Sequence, residues 1–230
     1  MSTLVRDTAI VLRCIPYSET SLILTVFTVH YGKLGLMYKG GRRKVKTGTA
    51  LAIEPGYEID VVWTYKASRE LQLVRELTLN DSHYAIRESL ESMAIGGALV
   101  ELLLRSLSDE DPHPELFAGA QRVLRECETA TPARWPVFWK NYIVLLDRLG
   151  FALSETQLAL RGPARLGPES AALMRRLLAV DFEIAGRLRC SPQAEREITR
   201  FLSDYLSEHL HAPAQPRTID ALHWVRRTSS

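Results

Sequence analysis

Lys33, Lys39, Arg42, Arg43, Lys44 and Lys46 fall within one short stretch, GKLGLMYKGGRRKVKTG (residues 32–48), with no acidic side chain among them. Ammonium and guanidinium groups spaced like this neutralise phosphate oxygens and release bound counterions, which gives affinity for a nucleic-acid backbone without reading its sequence. Tyr31 and Tyr38 interleave with these charges, and an aromatic face can stack on an unpaired base. The competing reading is a solvated hairpin, with Tyr38 packed inside the fold. Total charge does not choose between them, because 29 Lys+Arg against 27 Asp+Glu leave only +2. Distribution favours contact: residues 1–80 hold 11 basic and 7 acidic side chains, net +4, so the remainder carries 18 against 20, net −2. A positive field gathered on one part of a nearly neutral chain is the electrostatic footprint of a polyanion site.

Little else in the chain has the spacing of chemistry. No H-E-x-x-H, G-x-S-x-G or G-x-x-x-x-G-K-[ST] pattern occurs, so the glycines near Lys39 have no phosphate-loop context. Cys14, Cys127 and Cys190 are far apart and form no C-x-x-C pair, which fits a reducing compartment better than an oxidised scaffold. His209 and His211 are two apart and would not share a helix face. A catalyst needs convergent titratable groups. The expectation is a binding protein, not an enzyme, with no metal and no cofactor. MSTLVRDTAIVLRC has no signal-peptide core, and the longest apolar stretch is broken by Glu101 and Arg105. A cytoplasmic protein without a membrane span is expected.

Two textures position the basic ribbon. Residues 8–17, 21–31, 33–40, 57–66 and 71–79 read as strands rich in Val, Ile, Leu, Thr and Tyr. Tyr57, Ile59, Val61, Trp63 and Tyr65 alternate onto one apolar face. Closure removes exposed strand edges, so this inventory predicts a five-stranded OB-type barrel over 1–80. From Asn80 onward the period lengthens. Ile86, Leu90, Met93, Gly97, Val100, Leu104 and Leu107 predict a helix with a buried stripe, capped by Asp81 or Ser82. Gly96-Gly97 inside it implies close approach of another helix. Further helices are predicted at about 114–128, after Pro132 with Gly150 as its stop, and at about 168–180, 193–210 and 217–226. Residues 151–166 read as irregular. The expected class is α+β, a β barrel followed by an all-α domain over 81–230.

The segment Tyr17–Lys46, YSETSLILTVFTVHYGKLGLMYKGGRRKVK, resembles the N-terminal barrel of the RecO family of bacterial recombination mediators. That family carries a Ser-Glu-Thr/Asp segment, an apolar strand ending in Phe-Thr, a Gly-Lys/Arg turn and a basic hairpin. LLDRLGFALSE (Leu145–Glu155) resembles its Leu-Gly-Phe/Tyr helix end, and FLSDYLSEHLHAPAQPRTIDAL (Phe201–Leu222) its last helices. The resemblance implies a cytoplasmic, nucleoid-associated DNA repair and recombination protein. Such a protein would bind single- and double-stranded DNA and anneal complementary strands. It would partner with RecR and the C-terminal tail of the single-stranded-DNA-binding protein, and help load a recombinase onto covered gaps. Lys33, Tyr38, Lys39, Arg42, Arg43, Lys44 and Lys46 would contact the DNA. The acidic tail ends in phenylalanine in the family, so it needs an aromatic pocket beside cations. Arg122, Arg125 and Lys140, near the Trp135–Leu149 surface, are the candidates, against a stronger competing reading in which Trp135, Trp139 and Tyr142 are core and the arginines are ordinary exposed helix residues. Many members carry a four-cysteine zinc element after the Leu-Gly-Phe/Tyr segment. Here 151–167 holds no cysteine and only Cys190 is near. A structural zinc needs about four ligands, so 151–192 is expected to be a degenerate, metal-free version. The rival function is an adaptor whose barrel docks a protein rather than DNA.

Overall fold

A computed structural model describes residues 3–41, 52–129, 131, 134–161, 165–210 and 216–228. The chain packs as two compact units, Met1–His83 with Val100–Phe117, and Tyr84–Leu99 with Ala118–Ser230.

In the first unit, strands β1 (Thr3–Pro16), β2 (Leu22–Thr28), β3 (Gly32–Tyr38), β4 (Glu58–Tyr65) and β5 (Leu71–Asp81) close a barrel in the order β1-β2-β3-β5-β4. Neighbours are antiparallel except β3 and β5, which run parallel with Gly35, Leu36 and Met37 opposite Leu71, Gln72 and Leu73. This is the OB barrel of the expected α+β class. β1 begins earlier than its local pattern suggests, because Thr3–Ile10 pairs with β4 while Ala9–Pro16 pairs with β2. Val5, Ala9, Val11, Leu24, Val26, Leu34, Leu36, Ile59, Val61, Trp63 and Val74 fill the interior. The predicted alternation on β4 is realised: Tyr57, Ile59, Val61 and Trp63 line that core, and Tyr65 packs half-buried against it. The β1–β2 register slips between Val11 and Arg13. That extra residue shifts the phase of β1, so Arg13 and Ile15 lie exposed while Cys14 packs on the core.

In the chain after β5, a 3-10 turn (Tyr84–Glu88) precedes α1 (Leu90–Ser106), so Ile86 is not on that helix. The cap is Ser89, whose Oγ accepts from the Ser92 N–H at 3.3 Å, rather than Asp81 or Ser82. The predicted stripe holds at Val100 and Leu107, which are buried, but not at its start. Leu90 and Met93 are exposed, whereas Ala94, Ile95, Ala98, Leu99, Leu102 and Leu103 are buried. A helix apolar on most sides gives no unique stripe to read. The glycine expectation holds at Gly97, where an added Cβ would come 2.7 Å from Thr218 Cγ2.

The second unit is built on α2 (Pro114–Glu128), α3 (Arg134–Arg148), α4 (Glu155–Arg161), α5 (Pro168–Ala179), α6 (Phe182–Ala185), α7 (Pro192–Leu210) and α8 (Arg217–Thr228). α2 begins in the first unit, and from Ala118 on it belongs to the second. α3 stops as predicted at Gly150, φ +81°, where the Phe151 N–H donates to Leu146 O at 2.8 Å and the Gly150 N–H to Asp147 O at 3.0 Å. A left-handed residue there satisfies carbonyls the helix leaves open. The stretch 151–166 is not irregular throughout, because Ser154 and Gln157 form a reciprocal cap that starts α4, at 3.0 and 3.2 Å. Such a cap contributes about 1 kcal/mol, enough to start a short helix. Trp135, Phe138, Trp139 and Tyr142 of α3 are buried, as are Ile198, Phe201, Leu202 and Tyr205 of α7. Trp139 Nε1 donates to Thr199 Oγ1 at 3.0 Å. Among the described residues no helix is long and apolar enough to cross a membrane.

Candidate nucleic-acid interface

Among the described residues, part of the outer face of the barrel is covered and part is left exposed or half-buried. Phe27 on β2 is capped by Phe117, ring centroids 5.5 Å apart. Next to it on β3, Lys33 Nζ donates to Leu104 O at 3.3 Å and lies 3.3 Å from Asp109 Oδ1. Its own carbonyl accepts from the Glu110 N–H at 2.8 Å. Gly32 makes this approach possible: its φ is +67°, and an added Cβ would meet the Asp111 backbone at 2.4 Å. The Gly32-Lys33 turn therefore docks the loop after α1 onto the barrel.

Beyond that cover the register Ile15↔Ile23↔Met37↔Leu73 runs straight across four strands. All four side chains point away from the core and are exposed or half-buried. Arg13, Thr25, Gly35 and Leu71 form the neighbouring row. Gly35 leaves room for Leu71, whose Cδ2 would stand 2.7 Å from a Cβ there. Exposed Tyr17 follows β1, and β3 ends at Tyr38 with exposed Lys39 beyond it. The β2–β3 face, with the loops beside it, is where OB barrels hold oligonucleotides. The sequence reading missed this face. Its signal was the second parity of each strand, which reads as ordinary half-buried residues until the register aligns them.

The predicted contact residues divide. Lys39 is exposed at the edge of the open face. Lys33 has only 15% of its side chain exposed and is committed to Asp109 and Leu104, so its charge is spent inside the fold. Tyr38 is half-buried against the barrel core, with its ring beside Gly41. Tyr31 likewise packs edge-on against Trp63, centroids 5.2 Å apart. Arg42, Arg43, Lys44 and Lys46 lie outside the described residues. A cleft of about 370 Å³ opens beside Lys33, lined also by Arg69, Glu70, Asp109 and Glu110. Three carboxylates against two cations make it a poor seat for phosphate. The β4–β5 loop on its rim is braced by buried Gln72, which bonds Lys66 N–H and O at 2.8 and 3.1 Å and Arg69 O at 2.8 Å.

In the helical unit Arg122 is half-exposed and paired with Glu126 at 3.0 Å, while Arg125 is exposed. Lys140 donates to Leu177 O at 3.2 Å, at the end of α5. Arg122 Nη2 borders Gly186, so Arg122 and Lys140 both reach the segment from Leu177 to Gly186. Arg125 has no described contact there. Trp135, Trp139 and Tyr142 are interior and supply no open pocket.

The residues of 151–192 do not fit a zinc. Among the described residues no three His, Cys, Asp or Glu side chains of that stretch converge to ligand distance. Burial first, then Glu195, pushes the Cys190 thiol up to about 12. Burial likewise pushes Cys127 up to about 12. Neither is a ready thiolate. Glu197 of α7 ties to this stretch by accepting from Gly167 N–H at 2.8 Å and Ser170 Oγ at 2.6 Å, and is held within its own helix by Gln193 Nε2 at 2.8 Å.

Residues 1–83 match the family model Recombination protein O N terminal, and residues 87–168 and 158–217 match Recombination protein O C terminal. The chain belongs to the RecO family. A Salinibacter ruber DNA repair protein RecO is 32% identical over 229 residues, covering 89% of this chain and 87% of that protein. Its Chlorobaculum parvum counterpart is 28% identical over 242 residues, covering 90% and 93%. The same figures for the Geobacter metallireducens protein are 28% over 235 residues, 90% and 93%. The RecO N-terminal match ends at His83, which is also the last barrel-side residue before the 3-10 turn.

Proposed function

We propose that this RecO-family chain is a DNA repair and recombination protein that acts by binding rather than by catalysis. The observation that carries the reading is the β1-β2-β3 face of a closed OB barrel, with exposed Arg13 on it and exposed Lys39 at its end; Arg42, Arg43, Lys44 and Lys46 follow in the sequence. Bases would lie over the aliphatic row while phosphates follow the cations. A strand held through its backbone leaves base edges free to pair, which is what annealing of complementary DNA requires. Double-stranded DNA would engage the same cations through phosphate alone. RecR and the acidic tail of the single-stranded-DNA-binding protein are its proposed partners, the tail by way of Arg122 and Lys140, with Arg125 the weaker candidate.

One observation favours a second reading. The row Ile15, Ile23, Met37 and Leu73 is aliphatic, and covering such side chains contributes on the order of 1 kcal/mol each or more, as suits a protein partner. Ile23→Glu/Met37→Glu separates the two. It should weaken binding of single-stranded oligonucleotides by about tenfold, by repulsion and lost contact. Unchanged oligonucleotide affinity with lost RecR binding would assign the face to the protein.

A further inference from the structure

Helix α8 is anchored on one side and open on the other. Ile219 and Leu222 are buried, and Thr218 sits over Gly97. Arg226 donates to Glu195 Oε1 at 2.6 Å and lies 3.3 Å from Glu91 Oε2. These anchors leave Trp224 60% exposed, while Trp63, Trp135 and Trp139 are all buried. A single exposed indole is ordinary. Its surroundings are not. Arg227 follows at i+3 on the same face, and exposed Arg196 of α7 is close enough for its charge to act on His223, the residue before Trp224. Of the nearby acids, Glu195 is buried against Arg226 and Glu197 is held by Gly167, Ser170 and Gln193, which leaves exposed Asp220, one turn before Trp224 on the same face. Asp220 is the only acid in α8. Burial, then Arg226, lowers the pKa of His223, with Arg227 and Arg196 adding to the effect against an opposing Asp220. With Arg226 paired to Glu195 and Glu91, Arg196 and Arg227 stand against Asp220 around this residue.

We propose that Trp224, Arg227 and Arg196 form a second nucleic-acid contact, which takes single-stranded nucleic acid by stacking a base on the indole and pairing its flanking phosphates with the two guanidinium groups. An acidic peptide would meet the same cations, but its aromatic or aliphatic anchors need a pocket. Trp224 offers an open, flat ring on a convex helix, which suits a base. The contact does not depend on the barrel reading.

The test is tryptophan emission and iodide quenching of the full chain during titration with oligo(dT). Because the other indoles are buried, the iodide-accessible emission belongs to Trp224. Oligo(dT) should quench it and shield it from iodide, and Trp224→Phe should abolish both effects. Arg196→Glu/Arg227→Glu, verified as folded by circular dichroism, should shift the midpoint by about tenfold. The quenching should persist when Arg42, Arg43, Lys44 and Lys46 are changed to Ala, which separates this contact from the ribbon. Saturating oligo(dT), verified by anisotropy, with unchanged emission and iodide access would overturn the proposal. So would quenching by an acidic peptide but not by oligo(dT).

Discussion

The barrel and the helical unit both leave large apolar side chains outside, but the barrel aligns several of its own in one row across strands. A strand must present a second face, and the barrel covers part of its outer face with Phe117 and the loop after α1 while leaving Ile15 exposed and Ile23, Met37 and Leu73 half-buried. The helical unit buries the aromatic residues of α3, stacking Trp135 on Trp139 with centroids 5.8 Å apart, and leaves Trp224 outside among its tryptophans, with Tyr84 the other exposed aromatic residue. Where a fold covers one part of a surface and not another, the open part carries information. In the bundle, an aromatic stripe on α3 is packing, and the outlier on α8 is the residue to question.

The largest effect should come from the bundle interior. Trp139→Ala should cost roughly 3–5 kcal/mol in urea unfolding, by leaving a cavity and orphaning Thr199, whereas Trp224→Ala should stay within about 0.5 kcal/mol. Equal costs would mean the two tryptophans do not differ in role. A smaller contrast lies within the ribbon itself. Lys33→Met should cost about 1 kcal/mol in stability, through its lost bonds to Leu104 and Asp109, and leave the salt dependence of DNA binding unchanged. Lys39→Ala should do the reverse, folding normally and lowering the log-log salt slope by about 0.7. If Lys33→Met flattens that slope, its side chain must leave Asp109 to meet phosphate.

The barrel was legible in sequence because a period of two assigns each residue to a face, as Tyr57 to Trp63 illustrate. What could not be read was long-range: the pairing of Thr3–Ile10 with β4, and the register that aligns Ile15, Ile23, Met37 and Leu73. Lys33 looked like its basic neighbours because its acid, Asp109, lies far away along the chain. In the helices, stop signals such as Gly150 were local and reliable, while the stripe on α1 was not, since Ala94, Ile95, Leu102 and Leu103 bury the other sides as well. The α4 start was legible and overlooked: Ser154-Glu155-Thr156-Gln157 is a capping box, with partners three residues apart.

The most direct measurement is the affinity of single-stranded oligonucleotides as a function of salt, for wild type and for the variant with Arg42, Arg43, Lys44 and Lys46 changed to Ala. Each lost phosphate contact should remove about 0.7 from the log-log slope, up to about 2.8 for four, with affinity falling alike for all sequences. A folded quadruple variant that keeps the wild-type slope and affinity would contradict the assignment of this ribbon to the DNA backbone.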